Sequence, residues 1–342
     1  MINSQHDIYW YELEITQDCN AECPLCERTE SGMALRGNPT MTLEDIKKIF
    51  PTKDLIKDRN IGLCGTKGDP ILNPDCYEIC KYFDSNEVDI VTLSTNGGYN
   101  NAEWWERLAT LENVCVDFCL DGHEQTNHIY RVNVNWKTTI RNLEAYVAAG
   151  GYAKWVFIAF EHNEIEFEKC REHAEKLGIQ FQVKQSGRNY RYLNSTKAQK
   201  HKPRKHKETV SLKTSENLTD FRKDNVIKAT NAYLSKNLEK QKESARTISC
   251  RHFEGKHLYI SANLDVSPCC YLSSSANRFR FVKSIEPGNI RFANLKNLTM
   301  QEILDKFNKI DIRKRWNPED EFHIKKCVIQ CGNNAAMMDK IL

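Results

Sequence analysis

Apolar and polar positions alternate in two rhythms along the first half of the chain. Short runs rich in β-branched and aromatic residues, Tyr9–Ile15, Asn60–Cys64, Val88–Leu93, Val114–Leu120, Trp155–Phe160 and Ile179–Val183, have the length and composition of strands. The segments between them carry apolar residues at helical spacing. Thr42–Phe50 puts Leu43, Ile46 and Phe50 on one face with Thr42 as N-cap. A second helix, with Asn73 as its cap, aligns Cys76, Ile79, Cys80 and Phe83, a stripe that reads as core. Helices follow over Ala102–Thr110, through Trp136, Ile140, Leu143 and Val147, and over Ile165–Leu177, with Gly150, Gly151 and Gly178 as stops. Six strand-helix steps predict an α/β fold with a parallel sheet. The rhythm alone leaves the sheet open or curved.

From Ser186 to Ser249 the alternation stops. Residues 187–213 hold nine Lys or Arg, two His and one acid, Glu208, the composition of a solvated loop or arm. The sharper reading is a lid over an anionic substrate, with Lys202, Arg204, Lys205 and Lys207 as its charges. An amphipathic helix is expected over Leu218–Leu238. Beyond Cys250, His257–Cys270 reads as two short strands around an Asn-Leu-Asp turn, and Thr299–Phe307 as a helix. The expected division is therefore 1–185, a basic insertion 186–249, and a cysteine-bearing tail 250–342.

Composition narrows the chemistry. Fourteen cysteines are many. The polar N-terminus carries no secretory signal and no apolar run reaches membrane-spanning length, so a cytoplasmic protein with no membrane partner is expected. In that compartment cysteines serve as metal ligands or core rather than as disulfides. A net charge of +3 gives no reason to expect nucleic acid. The basic stretch also lacks the interleaved aromatics of a base-stacking platform past Tyr192.

Two cysteine sets stand out. Cys19, Cys23 and Cys26 form a CxxxCxxC loop directly after the first strand. Three thiolates can hold three corners of an iron-sulfur cubane and leave the fourth iron open to a reactant. A structural zinc site would want a fourth ligand close by, and none follows before the next strand, although zinc or a redox pair remains possible for the motif alone. In the tail, Cys250, Cys269, Cys327 and Cys331 could close a 4Fe-4S cluster or a zinc site. Cys269 and Cys270 are neighbours on a strand end and diverge, so one of them serves, and Cys269 is chosen.

The loop, the turn Gly65-Thr-Lys-Gly68-Asp69-Pro70, the segment Ser94-Thr-Asn96-Gly97-Gly98 and the cysteine-bearing tail together resemble the radical S-adenosylmethionine (radical SAM) enzymes, in their SPASM/twitch subgroup. The resemblance implies a partial (β/α)6 barrel, with its site at the carboxyl ends of the strands, followed by a small α+β domain with one auxiliary 4Fe-4S cluster. It implies an oxidoreductase that cleaves S-adenosylmethionine, with flavodoxin or ferredoxin as reductant. Cofactor contacts would fall on Gly68 and Asp69, where Asp replaces the family's Glu, on Ser94 and Asn96, on Cys119 in place of a Ser, and on Arg131 for the carboxylate. Glu161, His162 and Asn163 would close the fifth strand near the site, and no general base is assigned. With no leader-binding domain evident at the N-terminus, a small, sugar-like or anionic substrate is expected before a peptide; a non-catalytic cluster or zinc protein contacting RNA is the remaining class.

Overall fold

The structure, a computed structural model, describes residues 2–184, 199–201, 210–212, 215, 237–273, 281 and 293–332. It divides into two compact units: residues 13–48 with 56–221, and residues 1–12 with 49–55 and 222–342. No helix among the described residues is long and apolar enough to cross a membrane. The expected helix over Leu218–Leu238 falls almost wholly outside the described residues, as do Lys202, Arg204, Lys205 and Lys207.

The first unit is the alternating segment. In chain order it holds β1 (Trp10–Leu13, of which Leu13 enters this unit), α1 (Glu27–Glu30), α2 (Leu43–Ile49), β2 (Asn60–Leu63), α3 (Cys76–Ser85), β3 (Ile90–Thr95), α4 (Ala102–Leu108), β4 (Val114–Cys119), α5 (Asn127–Tyr130), α6 (Trp136–Ala148), β5 (Tyr152–Ile158), α7 (Phe167–Lys176) and β6 (Gln180–Lys184). The sheet order follows the chain from β1 to β6, and β2 through β6 are parallel. This is the mostly parallel α/β sheet that the alternation predicts.

Register explains which face is buried. One row across the sheet is Thr95, Phe118, Trp155 and Phe181. Its aromatics meet the helices: Phe118 lies 5.0 Å from Trp105 of α4, and Trp155 lies 6.0 Å from Trp136 of α6. The adjacent row is Ser94, Asp117, Lys154 and Gln180. Successive residues of a strand face opposite ways, so one face of the sheet carries an aromatic row and the other this polar one. Strands of a parallel sheet are ordinarily apolar on both faces, so a polar row is a departure that a ligand can use.

Several boundaries differ from the sequence expectation, each for a local reason. β3 starts at Ile90 because Glu87 turns through φ +56° and the Val88 amide still closes α3 on Phe83 O. β5 starts at Tyr152, three residues early, because Tyr152–Lys154 find partners in Cys115–Asp117. Asp75 holds the N-cap position of α3 without a side-chain cap bond; Asn73 Oδ1 accepts the Asp75 amide, and Asn73 Nδ2 donates to the carbonyls of Ile15 and Met41. α6 buries Thr139, Asn142, Leu143 and Tyr146 rather than the stripe through Ile140 and Val147. Cys76 and Cys80 are buried in α3 as expected. In the basic stretch, β7 (Gln199–His201) pairs antiparallel with β8 (Val210–Leu212).

The second unit holds α8 (Leu238–Arg246), β9 (His257–Ile260), β10 (Val266–Ser267), α9 (Met300–Asn308) and α10 (Lys325–Cys331). β9 and β10 pair antiparallel around a turn in which Leu264 has φ +66°. α9 begins with a capping box between Thr299 and Glu302.

Candidate functional site

The end of β1 leads into the cysteine loop, which its own backbone shapes. The Cys19 amide donates to Leu35 O, the Ala21 amide donates to Cys19 Sγ at 3.4 Å, and Cys26 caps α1. Leu25 sits at φ +63°, a left-handed step between Cys23 and Cys26. Cys23 is 7% exposed and lies in an apolar cluster with Ala21, Tyr130, Val134, Phe160 and Leu212, against which Cys19 and Cys26 also pack. Leu212 comes from β8, so the basic insertion supplies part of this wall. Burial, and after it the negative charges of Asp69, Cys23 and Cys26, pushes the Cys19 thiol well up. A cationic iron core would reverse that repulsion.

The strand-end loops are tied to this one. Gly68 has no room for a side chain: a Cβ there would lie 1.9 Å from the carbonyl oxygen of Thr16. Close approach of the two backbones therefore requires glycine. The buried carboxylate of Asp69 accepts from Thr95 Oγ1 at 2.7 Å, from the Asn96 amide at 2.8 Å and from Asn96 Nδ2 at 2.6 Å. Asn96 Nδ2 also donates to Asn20 Oδ1, and Asn20 Nδ2 to Gly98 O. Burial raises the Asp69 pKa against these bonds. The Asp69 side chain is thus a brace joining the ends of β2 and β3 to the cysteine loop.

Ser94 faces Asp117 across the sheet in the polar row. Cys119 Sγ lies 3.6 Å from Asp117 O, and burial pushes its thiol up to about 11. Arg131 Nε sits 2.6 Å from the buried Oδ2 of Asp121, while Nη1 reaches Cys23 Sγ at 3.9 Å. The His162 ring stacks on Phe160 at 5.4 Å; both its nitrogens are buried without a hydrogen-bond partner, and burial lowers its pKa to about 4. Glu161 follows β5 exposed, and Asn163 is spent on backbone, donating to Asp121 O and Ile158 O. Sequence reasoning passed over Glu14, Asp18 and Asn20. Glu14 takes the Lys67 amide, and Asp18 takes the Gly37 and Asn38 amides. Their signal was acid and amide residues flanking a cysteine motif.

In the second unit four separated segments meet at one small cavity. Cys250, Cys269, Cys327 and Cys331 line it together with Arg251, His252, Tyr271 and Trp316, and Cys270 does not. Burial raises the pKa of all four thiols, and after it Cys250 and Cys331 raise Cys269, Cys250 raises Cys331, and all three raise Cys327. Among the described residues no group of three Cys, His, Asp or Glu could hold a single metal ion. A cubane takes one thiolate at each iron corner, so its donors stand apart. Three loop thiols in a dry pocket and four thiols around one cavity fit two such clusters in chemistry and number.

The comparisons agree with that chemistry. Residues 13–177 match the family model of the radical SAM superfamily, and residues 250–332 match that of an iron-sulfur cluster-binding domain, SPASM. No curated protein matches the sequence. Among solved structures, SuiB of Streptococcus suis bound to S-adenosylmethionine is similar at 13% identity and TM-score 0.56, over 88% of this chain and 67% of that one. The structure of anSMEcpe with bound AdoMet and Cp18Cys peptide is similar at 15% identity and TM-score 0.52, over 89% and 83%. At these identities the likeness is one of fold. The family implies an enzyme with a 4Fe-4S cluster, S-adenosylmethionine and auxiliary cluster binding. By its cysteine loop, its parallel sheet and its two family matches, the chain belongs to the radical SAM superfamily and carries a SPASM domain.

Proposed function

We propose that Cys19, Cys23 and Cys26 hold the cluster on which S-adenosylmethionine binds, and that Cys250, Cys269, Cys327 and Cys331 hold an auxiliary one. When bound, the first cluster supplies the electron that breaks the C5′–S bond, giving a 5′-deoxyadenosyl radical that takes hydrogen from an unactivated C–H bond. The observation that carries the reading is the union of the three-cysteine loop with the Asp69–Asn96–Asn20 brace.

The chain's own work is placement and exclusion. Gly68 and Asp69 offer backbone to the amino acid part of the cofactor, and Ser94, Asn96 and Cys119 offer polar atoms at strand ends. Arg131 steadies Cys23 and the end of β4 through Asp121. Tyr130, Val134, Phe160 and Leu212 keep water from the thiols. Residues 1–185 make the catalytic domain and 250–342 the auxiliary one.

The substrate reading is oxidation or rearrangement of a small polar molecule in the cytoplasm, with flavodoxin or ferredoxin as donor. Ser94 and Asp117, neighbours toward the carboxyl ends of β3 and β4, support it. A peptide is the second reading, as SuiB and anSMEcpe have been solved with peptides. The test is anaerobic reconstitution followed by S-adenosylmethionine and dithionite. About eight irons per chain and release of 5′-deoxyadenosine are expected, the latter abolished in Cys19→Ala. Zinc in the loop, or no 5′-deoxyadenosine from the iron-loaded protein, would overturn the reading.

A further inference from the structure

Four thiols line the tail cavity, and an arginine directly follows the first of them. Arg251 lies in its wall with Cys250, Cys269, Cys327 and Cys331, and its charge acts to lower the Cys331 pKa. Burial disfavours its charge, and the charges that act to keep it are those of Tyr271, Cys270, Glu12 and Cys331. Among the described residues Arg251 is in no ion pair. Glu12, the one carboxylate among those groups, pairs with His257 at 3.2 Å. Lys326 and Glu254 act on Cys331 in opposite senses and do not line the cavity. His252, the other basic side chain in the lining, is held neutral by burial while its Nδ1 meets His257 O at 2.8 Å.

A guanidinium without its own carboxylate, near enough to Cys331 to act on its thiol, has an electrostatic task beside four thiolates. A cubane held by four thiolates is net negative and becomes more so when it gains an electron. A fixed cation nearby, in surroundings of low dielectric, therefore favours the reduced form. We infer that Arg251 is the positioning charge that sets the auxiliary cluster's reduction potential, holding it more positive than four thiolates alone would. Arg251 does this as a second layer around the ligands, as outer-sphere partners do at other metal centres. The inference rests on the four tail cysteines being the ligands.

The test is a potentiometric titration, read by electron paramagnetic resonance, of the reconstituted full chain and of Arg251→Gln, Arg251→Met and Arg251→Lys, with iron counted first. The auxiliary midpoint should move to more negative potential in the two neutral variants, stay near wild type in Arg251→Lys, and leave the other cluster's midpoint unmoved. If the neutral variants fail to load tail iron while Arg251→Lys loads it, the charge is needed even for assembly, which supports the inference. An unmoved midpoint in a neutral variant with full iron overturns it. So does an Arg251→Lys variant that shifts as far as Arg251→Gln or loses the tail iron, because packing rather than charge is then at issue. Full tail iron in Cys269→Ala would instead remove the ligand assignment, a result independent of any midpoint.

Discussion

Arg131 joins two residues that the chain order keeps far apart: its Nε lies 2.6 Å from Asp121 Oδ2, and its Nη1 lies 3.9 Å from Cys23 Sγ. Asp121 is fully buried and its other oxygen accepts the Ile158 amide at 2.6 Å, so this pair ties the ends of β4 and β5 to the cysteine loop. Removing one partner of a buried pair leaves the other uncompensated, at a cost of about 3–5 kcal/mol. Arg131→Met should lose that much in urea unfolding under matched anaerobic loading. Arg131→Lys, which keeps the charge and loses the fork, should fall between it and wild type. A loss below about 1 kcal/mol in the Met variant would mean that water reaches Asp121.

Gly68→Ala tests whether close packing of the two loops matters to cofactor binding. Its Cβ would collide with the Thr16 carbonyl at 1.9 Å, so the turn and the Asp69 brace must shift together. Overpacking of this kind costs about 1–3 kcal/mol. Calorimetric affinity of the reconstituted protein for S-adenosylmethionine should fall about tenfold or more, equivalent to about 1.4 kcal/mol. Gly178→Ala is the control: its φ is +68° but its Cβ would meet nothing within 4 Å, so it should cost stability and leave affinity unchanged. Equal affinity in both variants would remove the turn from the site.

Much of this was legible in the sequence. The strand-helix rhythm and the CxxxCxxC spacing are local signals, and each reappears as structure: the alternation as the sheet β2 to β6, the motif as one loop after β1. The illegible part depends on partners distant in the chain. The pairing of Arg131 Nε with Asp121, set by the path of the chain through α5, is one such partner. The start of β5 was set by partners in β4, which no single run reveals. Leu212, one apolar residue in a lysine-rich stretch, carries no periodicity, yet it packs beside Cys23. The Asp69 carboxylate could be placed in a turn from sequence, but its four donors come from β3, Asn96 and its own turn only once the strands align.

Cys269 and Cys270 are a natural discriminating pair. Only Cys269 lines the tail cavity; Cys270 starts a short 3-10 turn whose carbonyl is used by Ser273. Cys269→Ala should therefore drop the iron count by about four per chain and leave the loop cluster intact. Cys270→Ala should keep the full count. Iron analysis with electron paramagnetic resonance of both variants checks this, and the reverse pattern would move the ligand to Cys270.

His162 should make the protein acid-sensitive in a defined window. Burial first, and the charge of His128 after it, hold its pKa at about 4 against an ordinary value of 6.5, and neither ring nitrogen has a partner to offset the loss of water. Because the folded pKa is depressed, the unfolded chain takes up a proton between about pH 6.5 and pH 4 that the folded chain refuses. Unfolding free energy must then decline as pH falls through that window, by up to about 3 kcal/mol from this residue. His252, also at about 4, adds a parallel loss. The contribution of His162 is isolated with His162→Phe, which keeps a ring against Phe160 and removes the titration; its stability should decline less over the same interval. Proton NMR of the imidazole gives the direct reading, and a midpoint near 6.5 for His162 would mean that its nitrogens are solvated rather than enclosed.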